Sequence, residues 1–262
     1  MDRIPPNLAS SGAIEIAEIL KLISGGKILD IGTGDGGSLQ FLIDFLKDYD
    51  TAVGIDNDKD ELEKARVRFK DKPITLKVLN GEKLEYDDGT FNLVSMSFSM
   101  HHIQNLHNAL SEMKRVLKNG GYFMIQEMFS GGNQTIAQKN DTAVHELGAE
   151  VDRMEGKYHR EEYTKGEIVA ILSQLGLKDL EIFETSRYVK CLKCGEKDDC
   201  EDPKHPSTIK STLEDIDKGL EPIKERKEYS KFKERAEIIK QNIKTHGISS
   251  TSILFCIGKK AN

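Results

Sequence analysis

The chain has 262 residues, 37% of them apolar and 31% charged, with a formal net charge of −6. That is room for one α/β domain of ordinary size plus an elaboration, with a packed core beneath a highly charged surface. The acidic balance argues against a nucleic-acid-binding face, and no apolar run is long enough to span a membrane. The first residues lack a basic-then-apolar leader, and four cysteines suit a reducing compartment, so a cytoplasmic protein is the expectation.

Residues 13–24, AIEIAEILKLIS, carry apolar side chains at helical spacing and stop at Gly25 and Gly26. KILDIG then reads as a strand, GSLQFLIDFLKDY as a helix, TAVGID as a second strand and DKDELEKARVRFKD as a charged helix. ITLKVLN and FNLVSMSFS are strands three and four; NLHNALSEMKRVLK is a helix closed by NGG; YFMIQE is strand five. Residues 130–163 are less regular, with AQKNDTAVHELGAEVDRM a candidate helix. TKGEIVAILSQLGL is a clearer one, with Thr164 and Glu167 in capping-box spacing. KDLEIFETSR and STSILFCIG give strands six and seven. Strands alternating with helices predict a doubly wound, seven-stranded, mostly parallel sheet, and the missing crossover helix before strand seven predicts that this last strand is antiparallel.

In such a sheet ligands sit beyond the carboxyl ends of the strands, where Gly32, Asp56, Asn80, Ser97 and Glu127 all fall. Gly32, Gly34 and Gly37 spell GxGxxG, and Asp56 ends strand two where an acid could bind a ribose. A nicotinamide-dependent oxidoreductase would fit that spelling. Asp30, just before the first glycine, argues against it. A carboxylate there repels a diphosphate and suits an adenosyl ligand with a cationic end.

The segments ILDIGTGDGGSL, VGIDNDKDEL, LNGEKLEY, FNLVSMSFSMHHIQN and MKRVLKNGGYFMIQE, in this order and spacing, resemble the class I S-adenosylmethionine-dependent methyltransferases, of the small-molecule type that includes quinone-ring enzymes. The resemblance covers residues 27–127. It implies S-adenosyl-L-methionine as cofactor and a small-molecule acceptor. Gly32, Thr33 and Gly34 would pass under its methionine part, and Asp30 would help organise the ammonium end. Asp56 would bind the ribose hydroxyls, with Asn57 beside the adenine. Asn80, where the family often has Asp, would meet the adenine amino group with Gly81 next to it, and Ser97 would lie near the donated methyl. Asn92 replaces a common Asp at the start of strand four, with little consequence expected. A protein or RNA methyltransferase, or a binding module without catalysis, are the alternatives; SFSMHH stands where an Asn-Pro-Pro-Tyr-like signature would mark some of the former.

Methyl transfer expels a neutral thioether, so it rests on alignment and desolvation, with a base only for an acceptor that holds its proton tightly. His101 and His102 are the candidate bases, against a structural role for the HHI turn. His145 and Glu146, and Tyr158 and His159, fall in the region expected to cover the pocket, where a solvated helix face is the plainer expectation. Gln126 and Glu127 end strand five, where substrate contact and packing are balanced.

Between strands six and seven lies an insertion, residues 187–247, separating 1–186 and 248–262 of the cofactor-binding domain. Its Cys191-x2-Cys194-x5-Cys200-x4-His205 series has the ligand types of a tetrahedral zinc site. A parallel strand six would deliver the insertion to the cofactor edge of the sheet as a lid selecting the substrate. Pro222 should split its Lys/Glu-rich helical part in two. Cys256, in an apolar strand, is expected in the core.

Overall fold

The computed structural model describes residues 12–185 and 202–261. A central sheet is built from β1 (Lys27–Ile31), β2 (Thr51–Asp56), β3 (Ile74–Val78), β4 (Phe91–Ser97), β5 (Leu117–Ser130), β7 (Lys178–Thr185) and β8 (Ile253–Lys259), in the order β3-β2-β1-β4-β5-β8-β7. The seven long strands match the expected ones. An eighth, β6 (Tyr163–Thr164), pairs in parallel with the end of β5. β1 to β5 run parallel; β8 is antiparallel to both β5 and β7. β7 therefore points the same way as β1 to β5, and the chain leaves it on the side where the parallel strands end.

The helices of the sheet layer are α1 (Gly12–Leu20), α2 (Gly37–Phe45), α3 (Lys59–Arg68), α4 (Leu106–Val116) and α6 (Lys165–Ser173). β4 carries Phe91, Leu93, Val94 and Met96 with no exposed surface, as a strand covered on both faces requires. Two apolar clusters line the two faces. Ile31, Val94, Met113, Phe123 and Ile168 belong to one; Ile28, Leu42, Leu93, Met124 and Phe255 to the other. Cys256 is buried in the first, as expected.

Two features differ from the expectation, and a third agrees with it. Asn119, Gly120 and Gly121 do not close α4: the chain passes at once from Val116 into β5, and Leu117 already pairs with Phe91 before a bulge. The candidate helix AQKNDTAVHELGAEVDRM is borne out as α5 (Ile136–Met154), opened by a Thr135–Gln138 capping box. Asn92 is more than the first step of a strand. Its Oδ1 accepts the backbone N–H of Lys27 at 3.2 Å and Lys118 Nζ at 3.0 Å, joining the bases of β1, β4 and β5.

Within the insertion, α7 (Pro206–Leu220) and α8 (Tyr229–His246) are separated at Pro222 by a 3-10 turn. They share an apolar core with α5, built on Leu147, Val151, Ile216, Leu220, Phe232 and Ile243. Arg235 forks onto both carboxylate oxygens of Glu150 at 2.9 and 2.8 Å, tying α8 to α5. The helical layer is thus wider than the insertion. Cys191, Cys194 and Cys200 lie outside the described residues. His205 is within them, at the N-cap of α7, with Nδ1 2.8 Å from Ser207 Oγ.

Candidate active site

The strand order reverses between β1 and β4, and a cleft of about 980 Å³ opens beyond their carboxyl ends. Its floor is the loop after β1. Gly32 has φ +70°, and a Cβ there would fall 2.1 Å from Ser99 Oγ. Gly34 has φ +52° and faces open space. Only glycine meets the first demand, and the second favours it through the backbone angle alone. The loop is held from β2: the backbone N–H groups of Gly32 and Thr33 donate to Ile55 O at 2.9 and 3.0 Å, and that of Gly34 to Asp56 Oδ2 at 2.8 Å. Asp56 Oδ1 accepts the Asp58 N–H, and Asp58 in turn caps α3 through Asp60 and Glu61.

Gly32, Thr33, Gly34, Asp56 and Asn57 all line the cleft, and so do Asn80 and Gly81 after β3 and Ser97 at the end of β4. Asp30 does not. It is 2% exposed beneath the loop, with its carboxylate accepting Ser95 Oγ at 2.7 Å and Thr33 Oγ1 at 2.9 Å. Burial, outweighing these two hydrogen bonds, pushes its pKa up to about 6. Asn80 Oδ1 accepts the Glu82 N–H at 2.8 Å, which fixes the amide at the rim. Asp35, Asp58, Glu61 and Glu82 add carboxylates to the walls, against which Lys157 is the one cationic side chain among the described lining residues.

The two adjacent histidines part company. His102 lies open to the cleft. Loss of water in this concave setting, together with the neighbouring imidazoles His101, His159 and His145, holds its pKa down to about 3. It is neutral at pH 7 and weak as a base. His101 is absent from the cleft lining and 2% exposed, with Nδ1 3.0 Å from Glu127 Oε1. Glu127 has no exposed surface. Its carboxylate also accepts the N–H groups of Met100 at 2.8 Å and Met128 at 3.0 Å, so this end of β5 is structural.

The expectation of a solvated face at His145 and His159 is overturned. The His145 side chain is 19% exposed, that of His159 is 6%, and both pack against His101. His159 Nδ1 lies 2.7 Å from Asp152 Oδ2, and Asp152 reaches the cleft wall. Glu162, buried beside His145, has its pKa raised to about 7 by burial and then by Asp141 and Glu146. Asp152 and Glu162 went unread in the sequence. The helical spacing of His145 and Asp152, seven residues apart and hence on one face of α5, was the available signal.

The methyltransferase domain family model matches residues 29–125. Over 106 residues the chain is 35% identical to the ubiquinone/menaquinone biosynthesis C-methyltransferase UbiE of Geobacter sp. (strain M21), a match covering 39% of this chain and 45% of that protein. The chain thus spans less than half the length of this relative. Among solved structures, the BH2331 protein of Bacillus halodurans C-125 superposes with a TM-score of 0.61 at 18% identity, covering 97% of this chain and all of that one. The phosphoethanolamine N-methyltransferase 2 of Haemonchus contortus, solved with S-adenosyl-L-methionine, gives 0.56 at 18% identity over 97% of this chain and 53% of its own. Residues 29–125 thus match a methyltransferase domain, carried on a sheet of Rossmann-like fold.

Proposed function

We propose that the protein transfers the methyl group of S-adenosyl-L-methionine to a small-molecule acceptor. The observation that carries this reading is the Gly32–Gly34 loop bound to Asp56 at the floor of an acidic cleft. Asp56 keeps free lone pairs beside its two backbone hydrogen bonds, in place for ribose hydroxyls. Asn57, Asn80 and Gly81 would flank the adenine, while Thr33 and Ser97 would face the methionine part. Asp30 would act on the ammonium end through Thr33 and through its charge. The acceptor attacks the methyl carbon in line with the breaking bond to sulfur, and the bonding pair leaves with sulfur as a neutral thioether. No acid is required, and catalysis rests on alignment of the acceptor with the methyl group in the cleft. The relative's name, a C-methyltransferase of ubiquinone/menaquinone biosynthesis, supports a small acceptor.

The clustered carboxylates also set what the cleft refuses. Asp35, Asp56, Asp58, Glu61 and Glu82 oppose a diphosphate. Isothermal titration of the full chain should show S-adenosylhomocysteine binding and no heat from NAD. In Asp56→Ala the hydrogen bonding of a charged acceptor is lost, worth about 1.5–3 kcal/mol in net. Affinity for S-adenosylhomocysteine should fall about 10- to 100-fold. Binding of NAD in place of the nucleoside thioether, or an unchanged Asp56→Ala, would overturn the assignment.

A further inference from the structure

Three histidines from separate parts of the chain bring one ring nitrogen each to a common point. His101 comes from the 3-10 turn after β4, His145 from the middle of α5, and His159 from the connection between α5 and β6. His145 Nε2 lies 3.4 Å from His101 Nε2 and 3.2 Å from His159 Nε2, and the candidate ligand atoms of all three lie within 4.8 Å of one another.

The opposite ring nitrogens settle what those Nε2 atoms are. Glu127 accepts two backbone N–H groups and is therefore an acceptor towards His101 Nδ1. Asp152 receives His159 Nδ1 at 2.7 Å. Protons on these Nδ1 atoms leave bare lone pairs on both Nε2 atoms. His145 Nδ1 faces Glu162 Oε1 at 3.5 Å, and both atoms are buried without a hydrogen-bond partner. Each histidine is thus backed by a carboxylate. For His101 and His159 this is the outer-shell arrangement that fixes the tautomer and raises the basicity of a metal-bound imidazole.

Distances support the same conclusion. Nitrogens about 2.0–2.1 Å from a tetrahedral zinc ion stand about 3.3 Å apart from one another. The separations of 3.4 and 3.2 Å meet that value, and the third lies within 4.8 Å. The two lone pairs of His101 and His159 converge on His145 Nε2 in a buried place, where a cation shared by the three nitrogens would satisfy all of them.

We propose that His101, His145 and His159 form a binding site for a divalent first-row metal ion, zinc by preference of ligand set and geometry. The cluster adjoins the cleft through His102, a cleft-lining residue whose ring lies tilted against those of His101 and His159 with centroids 4.2 and 4.1 Å away. An acceptor with an ionisable hydroxyl or thiol binds there, resting on the methyl-transfer reading. Its oxygen or sulfur meets the metal, its proton leaves to solvent, and the anion attacks the methyl carbon as the carbon–sulfur bond of the cofactor breaks.

The cysteine series of the insertion could bind zinc independently, so the test separates the two. Cys191→Ser, Cys194→Ser and Cys200→Ser are combined in the full chain, which is stripped with chelator and titrated with cobalt(II). The expected result is one equivalent bound, with ligand-field bands and no thiolate charge-transfer band. His145→Ala in this background should lose the equivalent, and Asp152→Asn should weaken it about 10- to 100-fold. His145→Ala should bind S-adenosylhomocysteine within twofold of its parent. A chain that binds S-adenosylhomocysteine but takes up no cobalt overturns the metal site and leaves the methyltransferase reading standing. A chain that takes up cobalt but not S-adenosylhomocysteine does the reverse. If the serine chain does not fold, wild type and His145→Ala are compared by metal analysis. A difference of one equivalent supports the site, and equal content overturns it.

Discussion

Asp30 pins the glycine loop by accepting Thr33 and Ser95, and it does so as a buried carboxylate whose pKa is raised to about 6 from 3.8. Between those values the folded chain binds more protons than the unfolded one, so the stability linked to this group is greatest at low pH. It is lost as the pH rises to 6 and stays lost above. Asp30→Asn keeps one oxygen acceptor and removes the buried charge. Urea unfolding should show its advantage over wild type to be about 2 kcal/mol larger at pH 7.5 than at pH 4.5. An advantage independent of pH would mean that Asp30 is ionised in both states alike. The cofactor loop was legible because its glycines and Asp56 are adjacent in sequence to strand ends. The histidines were not. His145 and His159 look like surface residues until α5 is seen to press them against His101, and both lie beyond the matched residues 29–125.

At the scale of elements, α5, α7 and α8 stand or fall together. Ile243 is fully buried where α8 meets α5 and α7, with Leu147, Ile216 and Phe232 in the same cluster. Ile243→Ala should cost about 2–5 kcal/mol of stability in denaturant unfolding. A loss below ~1 kcal/mol would mean that these helices do not share a core. The strands and most helix limits could be read from periodicity and caps, including the pair Thr164 and Glu167, which forms the expected capping box. What could not be read was partnership. Nothing local tells α5, with its own Thr135–Gln138 cap, that its apolar stripe will be covered by helices from after β7. Asn92 gives the same lesson in small: its side chain matters through Lys27 and Lys118, both far away in sequence.

For the molecule as a whole, the cleft draws its floor from the sheet and part of its wall from the helical layer, through Asp152, Lys157 and Tyr158. Hydrogen exchange with S-adenosylhomocysteine bound should slow at the amides of residues 32–38 and 56–58, with the amides of 239–243 in α8 unchanged. Slowing that extended into α8 would show instead that the helical layer closes with the cofactor. The position of β8 has a separate consequence. It fills the gap between β5 and β7, yet follows Thr185 only after the whole insertion has been traversed. A nascent chain that has emerged as far as α8 presents two bare strand edges with nothing between them, an invitation to pair with other chains. Shortening the protein ahead of Ile253 should therefore yield aggregates rather than a smaller working enzyme.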